Sequence, residues 1–250
     1  GIDLEHLLPE ETAKKIAAGI KAASPEQLQQ NKIQWHQSLM ACSSVYKSLI
    51  DKMFFTYNQL PPAAAIAGIY TATDDARGVW KAPANINMNA AVSPTIEITT
   101  NQQESMNVDA NEGKSINAIR SFPGMGLLVW GARTLDGNSM DWKYVNVLRT
   151  LIMIEQSVKL ALRAYIFEPN NNNTWITIKS AVENFLITLW KQGALCGNKP
   201  DEAFGVDIGA GITMTADDIA ENRLRITIKI AITRPAEFIV VKLQQQQQTP

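Results

Sequence analysis

Strict alternation near the C-terminus constrains the fold of this chain more than any other feature. Isoleucine occupies every second position of residues 226–232, and threonine, lysine or alanine lies between. This period of two is that of a β-strand with one buried face. Arg234 and Pro235 interrupt the pattern, and an extended apolar run resumes over residues 237–243. The chain is therefore predicted to end in two strands.

Most of the preceding sequence has the 3.6-residue period of amphipathic helices. Ser24, Pro25 and Gln27 combine a capping box with a proline at the first helical position, which predicts a helix start. An apolar stripe follows, and it predicts one long helix over residues 25–55. The same period predicts three further helices, at residues 9–23, 142–165 and 174–192.

Shorter elements lie between the long helices. The small residues at 63–70 predict a short helix, and residues 74–89 are typical of an ordered loop. Alternating isoleucines at residues 96–98 and the apolar run at residues 127–132 predict strands. The predicted class is therefore α/β of the α+β type, with long helices packed on a mixed sheet.

The composition is that of an ordinary globular protein. Hydrophobic residues make up 46% of the 250 residues, enough for a sizeable core in one or two domains. The 23 basic residues nearly balance the 24 acidic ones. The resulting charge gives no bulk attraction to nucleic acid or to anionic membranes, so neither is predicted as a partner.

Cysteine usage and targeting signals predict the compartment. Cys42 and Cys196 each stand alone among small or apolar residues, so both are expected to be buried free thiols in a reducing environment. The sequence has neither an apolar run of membrane-spanning length nor a signal-peptide pattern at its start. Synthesis in the cytoplasm is expected.

Motifs for catalysis and for metal binding are scarce. His6 and His36 have no second histidine or cysteine at metal-ligand spacing, so no metal site and no catalytic residue are predicted. The Gly-Ala-Gly string at residues 209–211 resembles half of a dinucleotide-binding fingerprint. A turn before the capping box of Thr215 and Asp218 is the favoured interpretation of that string. No cofactor is predicted.

The two C-terminal strands admit two interpretations. Both could belong to one sheet within the chain. Alternatively, they could pair with strands of another subunit, because an exposed alternating strand near a chain end otherwise favours aggregation. The pattern alone leaves both interpretations open.

Several sequence blocks resemble single-chain phage tail sheath proteins. Four of these blocks are RGVWKAPAN, VWGARTL, FEPN and RPAEFI, at residues 77–85, 129–135, 167–170 and 234–239. Smaller blocks follow the same order as in that family, at residues 60–70, 117–120, 173–175 and 193–195. The resemblance therefore covers residues 60–243. Residues 1–59 are expected to form a helical segment that can continue an upstream region, and residues 244–250 a flexible glutamine-rich tail.

The resemblance implies a structural function. Sheath subunits stack helically around an inner tube and contract to drive it through a target envelope, so no enzyme activity is implied. The expected partners are other copies of the chain, the inner tube protein, and baseplate and terminator proteins. The expected location is a phage tail or a bacterial contractile injection particle.

The resemblance also implies which residues make the contacts. In the family, the helix before the Gly-Ala-Leu block faces the tube, and its off-stripe residues in this chain are Lys179, Glu183, Leu186, Trp190 and Lys191. Terminal strands interlock neighbouring subunits, and the corresponding residues are Arg225, Thr227, Lys229, Ala231, Thr233, Phe238, Val240 and Lys242. Two alternative functions remain open, namely a nucleotide-binding enzyme with a site near residues 205–211 and a non-contractile protein-binding module.

Overall fold

The computed structural model describes residues 14, 18, 24–89, 91–109 and 112–242. The chain divides into two compact units, residues 1–61 and residues 62–250. Most of the helix predicted at residues 9–23 lies outside the described residues. The glutamine-rich tail at residues 244–250 lies outside them as well.

The described part of the first unit contains two consecutive helices, α1 (Pro25–Cys42) and α2 (Ser44–Tyr57). The predicted start of α1 is confirmed, because the Ser24 hydroxyl accepts the Gln27 N–H at 3.3 Å and the Gln27 side chain accepts the Ser24 N–H at 3.2 Å. The prediction of one helix to residue 55 was wrong. Ser43 adopts extended backbone angles, ends α1 and caps α2 with its hydroxyl.

The apolar stripe of α1 and α2 is exposed in the part of this unit that the structure describes. Neither helix contains a buried residue. Five large apolar side chains on the two helices are 40–54% exposed, namely Ile33, Trp35, Leu39, Leu49 and Met53, and others are more exposed still. The stripe predicted from the sequence is therefore present, without a cover among the described residues of its own unit.

The second unit begins with helix α3 (Ala63–Arg77), which is longer than the predicted helix at residues 63–70. It ends at Gly78, where a φ of 88° suits glycine and stops the helix. Asp74, predicted to lie in a loop, is instead on the last turns of α3. There it accepts two hydrogen bonds from the Arg149 guanidinium, at 2.9 and 2.5 Å.

The second unit contains two small antiparallel sheets among its described residues. The first has the order β1 (Ile86–Asn87), β3 (Gly126–Trp130), β2 (Ala118–Phe122), and the second pairs β4 (Phe204–Asp207) with β5 (Thr227–Ile230). The buried strand predicted at residues 127–132 is confirmed by β3. The α+β class is confirmed too, and the strands form two antiparallel sheets in place of the single mixed sheet.

The strand predicted at residues 96–98 was wrong. These residues lie in an irregular segment, and Ile96 remains 73% exposed. Helix α4 (Thr100–Asn107) follows directly, and its start is fixed by a capping box between Thr99 and Gln102. Two alternating isoleucines were too short a signal to outweigh that helix start.

Two long helices build the main core. These are α5 (Val145–Leu162), extended by a 3-10 turn at Arg163–Tyr165, and α6 (Asn172–Lys191), and both lie close to their predicted bounds. Two short helices follow, α7 (Pro200–Ala203) and α8 (Ala216–Ala220). The core cluster joins α5, α6 and the second sheet through Ile154, Val158, Ile178, Val182, Leu186, Leu189, Ala194, Leu195, Ala203 and Val206.

Candidate assembly surfaces

The first of the two predicted C-terminal strands pairs within the chain. β5 runs antiparallel to β4. Beyond this ladder, the Ala231 N–H donates to the Ala203 carbonyl at 2.8 Å, and the Thr233 N–H donates to the Ala194 carbonyl at 3.1 Å. In an antiparallel ladder, every second residue of a strand directs its backbone N–H and carbonyl groups to the neighbouring strand. In β5 and the residues after it, these are the odd-numbered residues, which therefore bond within their own chain.

The opposite edge of β5 is open. Ile228 and Ile230 direct their backbone N–H and carbonyl groups away from β4. The sheet has two strands, and no backbone hydrogen bond within the described residues reaches these two isoleucines from the outer side. An edge of this kind can accept a further strand. We call the outer backbone of Ile228 and Ile230 the open edge.

This arrangement corrects the choice of residues for strand pairing. The odd-numbered positions predicted to pair with another subunit, Thr227, Lys229, Ala231 and Thr233, lie on the side of the strand that faces the chain itself. Arg225 precedes the strand and donates to Asp218 at 2.8 and 3.0 Å. The backbone groups without a partner among the described residues are those of Ile228 and Ile230.

The second predicted strand does not form within the described part of the chain. Residues 238–242 belong to no helix or strand, and no backbone hydrogen bond joins them to other described residues. Their apolar side chains are exposed, with Phe238 at 70% and Val240 at 84%, and Lys242 is exposed as well. We call residues 238–242 the C-terminal arm. Within the part of the chain that the structure describes, this apolar arm has no backbone partner.

An ion pair fixes the residue that precedes the C-terminal arm. The Arg133 guanidinium donates to the Glu237 carboxylate through Nε at 2.9 Å and Nη2 at 2.7 Å. The Tyr144 hydroxyl donates to the same carboxylate at 2.9 Å. Burial and the hydrogen bond to Glu237 raise the pKa of Tyr144 above its usual value of about 10. No local pattern indicates this contact, because 104 positions separate Arg133 and Glu237.

The structure corrects one of the residues predicted to face the tube. Leu186 of α6 is fully buried in the main core and cannot contact a partner from the surface. Trp190 is half-buried and donates its indole N–H to the Gly197 carbonyl at 2.9 Å. Lys179 and Glu183 flank the buried stripe as a loose ion pair at 3.8 Å.

The solvent-exposed face of α6 is adjacent to the face that was predicted to contact the tube. Small and polar residues dominate it: Ile176, Thr177, Ser180, Ala181, Asn184, Thr188 and Lys191. Of the predicted contacts, Lys191 is the one that belongs to this stripe. We call these seven residues the α6 outer face.

Both cysteines are exposed, contrary to the expectation of buried thiols. Cys42 ends α1, a helix without buried residues. Cys196 follows Leu195, whose side chain takes the buried side of the chain at that point. Apolar neighbours in sequence therefore did not predict burial here.

The Gly-Ala-Gly string forms a closed turn. The Met214 and Thr213 N–H groups donate to the Gly209 carbonyl at 3.1 and 3.0 Å, and the Gly211 N–H donates to the Met214 carbonyl at 2.8 Å. The helix that follows, α8, has five residues and begins with the predicted capping box of Thr215 and Asp218. An acidic first turn repels phosphate, so this segment lacks the features of a nucleotide site.

Among the described residues, no group of three or more histidine, cysteine, aspartate or glutamate side chains is arranged to hold a metal ion. His36 instead shares a hydrogen bond with the Tyr46 hydroxyl, through Nδ1 at 3.0 Å. None of the described helices is both long and apolar enough to cross a membrane.

Comparison with known proteins shows which family this chain resembles. Residues 138–246 match the family model for the phage tail sheath C-terminal domain. Over these residues the chain is similar to tail sheath proteins. The matched region includes α5, α6, both strands of the second sheet and the C-terminal arm. The resemblance recognised in the sequence is confirmed.

Related sheath proteins have been solved within larger assemblies. The chain is 41% identical to a chain of the PVC extracellular contractile injection system sheath in its contracted state, with a TM-score of 0.71. It is 44% identical to a chain of the anti-feeding prophage helical sheath in its contracted state, with a TM-score of 0.68. Each alignment covers 75% of this chain and 51% of the solved chain.

Curated tail sheath proteins are more distant relatives. The tail sheath protein of Vibrio phage KVP40 is 24% identical over 150 residues, and that of Enterobacteria phage T4 is 25% identical over 142 residues. These alignments cover 60% and 56% of this chain, and 22% and 21% of the relatives. The chain therefore spans about a fifth of these relatives and about half of the solved sheath chains.

Proposed function

We propose that the protein is a structural subunit of a contractile tail sheath, which polymerises helically around an inner tube and contracts to drive that tube through a target envelope. The observation that carries the proposal is the presence, in one chain, of an open edge on β5 and an unpaired C-terminal arm. The contracted sheaths that resemble this chain support the proposal.

The C-terminal arm of one copy adds as a strand to the open edge of another copy. Main-chain hydrogen bonds supply affinity in this mode, and side-chain pockets supply specificity. The arm and the edge are different surfaces, so the contact is heterologous and builds an open helix unless the rotation closes it. Contraction is a barrier-limited repacking of rigid subunits that stay joined through their arms. This work requires no catalytic site.

The α6 outer face contacts the inner tube. Its small side chains, including Ser180, Asn184 and Thr188, allow a close approach of helix and partner. Lys191 adds a positive charge at the C-terminal end of the helix. Lys179 and Glu183 lie at the border of this face and contribute at its rim.

The remaining partners follow from a sheath function. Baseplate and terminator proteins contact the two ends of the polymer, and one solved chain similar to this protein belongs to the baseplate of the anti-feeding prophage. The protein is made in a bacterial cytoplasm and works in a phage tail or an injection particle. It neither binds nucleic acid nor inserts into a membrane.

Truncation after Glu237 tests the proposal. Negative-stain electron microscopy of the full-length protein is expected to show hollow helical tubes or sheath-like rings. The truncated protein is expected to stay monomeric with an unchanged circular dichroism spectrum, because the deleted arm makes no backbone contact with its own described core. A control truncation that removes only the glutamines at residues 244–248 and the two residues after them should still assemble.

Three outcomes would contradict the proposal. Monodisperse full-length protein at high concentration would argue against a polymer. A discrete complex of fixed stoichiometry would favour a non-contractile binding module. A thermal shift with a panel of nucleotides, abolished by Gly211→Val, would favour the nucleotide-binding alternative.

A further inference from the structure

Within the described residues, Glu237 is the last residue of the C-terminal segment whose side chain makes a hydrogen bond or ion pair with its own subunit. The Glu237 side chain is 22% exposed and sits against Arg133, whose side chain is 7% exposed. The next residue, Phe238, is 70% exposed, and Ile239 is 84% exposed. The boundary of the arm is thus set by a side-chain contact, since residues 234–237 belong to no strand.

Arg133 is itself held rigidly from several directions. Its backbone N–H donates to Asn117 Oδ1 at 2.8 Å, and its carbonyl accepts from Asn117 Nδ2 at 2.8 Å. Its Nη1 donates to the Asn107 carbonyl at 2.6 Å. Nε and Nη2 remain for Glu237, in the two-pronged geometry that arginine forms with carboxylates. The guanidinium therefore presents a preformed receptor for one carboxylate.

We infer that Arg133 and Tyr144 are positioning residues that anchor Glu237 and thereby fix the point and direction from which the C-terminal arm leaves the subunit. We call these three residues the arm anchor. The inference rests on the proposed exchange of arms between copies. It assigns the control of that exchange to a contact within the subunit, between Arg133 and Glu237, which are 104 positions apart in sequence.

The anchor limits the reach of the arm. The five residues 238–242 span at most about 17 Å when extended. Without the anchor, the nearest backbone attachment is Thr233, and the four residues between would add about 14 Å of slack. The remaining contact in that stretch, Arg234 with Asp141 at 3.2 Å, is exposed and holds weakly.

A fixed starting point favours pairing between copies for a physical reason. Binding by a flexible segment costs the conformational freedom that the segment loses on ordering. An arm that already leaves in one direction loses less freedom, and its local concentration at a matching edge is higher. Releasing the anchor should therefore weaken and slow assembly without removing any group that contacts the partner.

Distances between spin labels test the anchor directly in the unassembled full-length protein. Labels go on Val240→Cys of the arm and Ala181→Cys of α6, in a background where Cys42 and Cys196 are serine. The wild-type anchor is expected to give a narrow distance distribution. The double variant Arg133→Met/Glu237→Met removes both charges, leaves neither one buried alone, and should broaden the distribution on the scale of the added slack.

Matched variants separate anchoring from general stability. Glu155→Gln removes an exposed carboxylate that pairs with Lys159 on α5, and it should leave the distribution narrow. Tyr144→Phe removes one hydrogen bond and should broaden it partially. Thermal unfolding of each variant reports the core separately. An equally narrow distribution in a folded Arg133→Met/Glu237→Met variant would overturn the anchor.

The outcome for the anchor is distinguishable from that for the proposed function. If the protein truncated after Glu237 still forms tubes, the proposed arm exchange is wrong. The inferred role of the anchor in assembly is then wrong too, even if the spin-label distances change in the double variant. If truncation abolishes tubes, the double variant should assemble more slowly and from a higher protein concentration than wild type. Wild-type assembly by a double variant with a broadened arm would overturn the inferred role in exchange.

Discussion

Single residues decide which side of each element is available to a partner. On α6 the buried stripe is Ile178, Val182, Leu186 and Leu189, at steps of four, four and three. Phe185 and Leu186 are neighbours, and periodicity indicates only that one of them lies near the centre of the stripe. Contact with α5 and the second sheet makes Leu186 the central one, which moves the outer face to Ser180 and Asn184.

Leu186→Ala tests this placement. It should lower the free energy of unfolding by about 2–5 kcal/mol, because it leaves a cavity in a packed core. Ser180→Ala on the α6 outer face should change that free energy by less than about 0.5 kcal/mol. Urea denaturation of both variants provides the measurement. Equal effects would show that Leu186 is not a core residue.

Asp218 gives a prediction for pH. The backbone N–H of Thr215 and the guanidinium of Arg225 donate to its carboxylate and hold the pKa of Asp218 below its usual value. A lowered pKa in the folded state stabilises the fold above the unfolded pKa of about 3.9, and this contribution is lost as the pH falls through the lower folded value.

The stability difference between wild type and Asp218→Asn should therefore be present at pH 7 and shrink as the pH falls below about 4. Chemical denaturation across that range measures it. Asp217→Asn, at an adjacent exposed position, is the matched control and should show a smaller pH-dependent difference. A wild-type advantage that grows at acid pH would contradict the assignment.

At the scale of elements, strand edges matter more than strand positions. The period of two located β5 correctly, since alternating isoleucines indicate a strand with one buried face. The alternation could not show which edge of β5 pairs within the chain. Successive residues of any strand direct their backbone N–H and carbonyl groups to opposite edges, whichever edge has the neighbouring strand. The internal hydrogen bonds of Ala231 and Thr233 settle the question.

Proline at Ile228 tests the open edge. The N–H of this residue points away from β4, so Ile228→Pro removes a donor that the internal ladder does not use. Ile228→Ala loses similar packing and keeps the N–H. Ile228→Pro should reduce tube formation in electron micrographs far more than Ile228→Ala, at comparable thermal stability. Equal assembly by the two variants would exclude pairing at this edge.

At the scale of the whole molecule, residues 62–250 form a compact unit with its own core. Helices α1 and α2 contribute no buried residue. Residues 62–250 expressed alone should therefore fold and unfold cooperatively, as measured by calorimetry and near-ultraviolet circular dichroism. An unfolded or molten product would show that the core needs residues 1–61.

The sequence by itself determined the long helices α5 and α6, the buried strand β3, the two capped helix starts at Ser24 and Thr215, and the resemblance to tail sheath proteins. These are local signals, carried by periodicity, by side chains three positions apart and by contiguous blocks. The break at Ser43 was missed because both flanking segments continue the helical period.

The tertiary structure alone decided which surfaces are free. The burial of Leu186, the open edge beside Ile228 and the anchoring of Glu237 by Arg133 each depend on contacts between segments far apart in sequence. Local patterns specify what a segment can form. The free energy of packing and pairing with distant segments decides which of its faces remains for a partner.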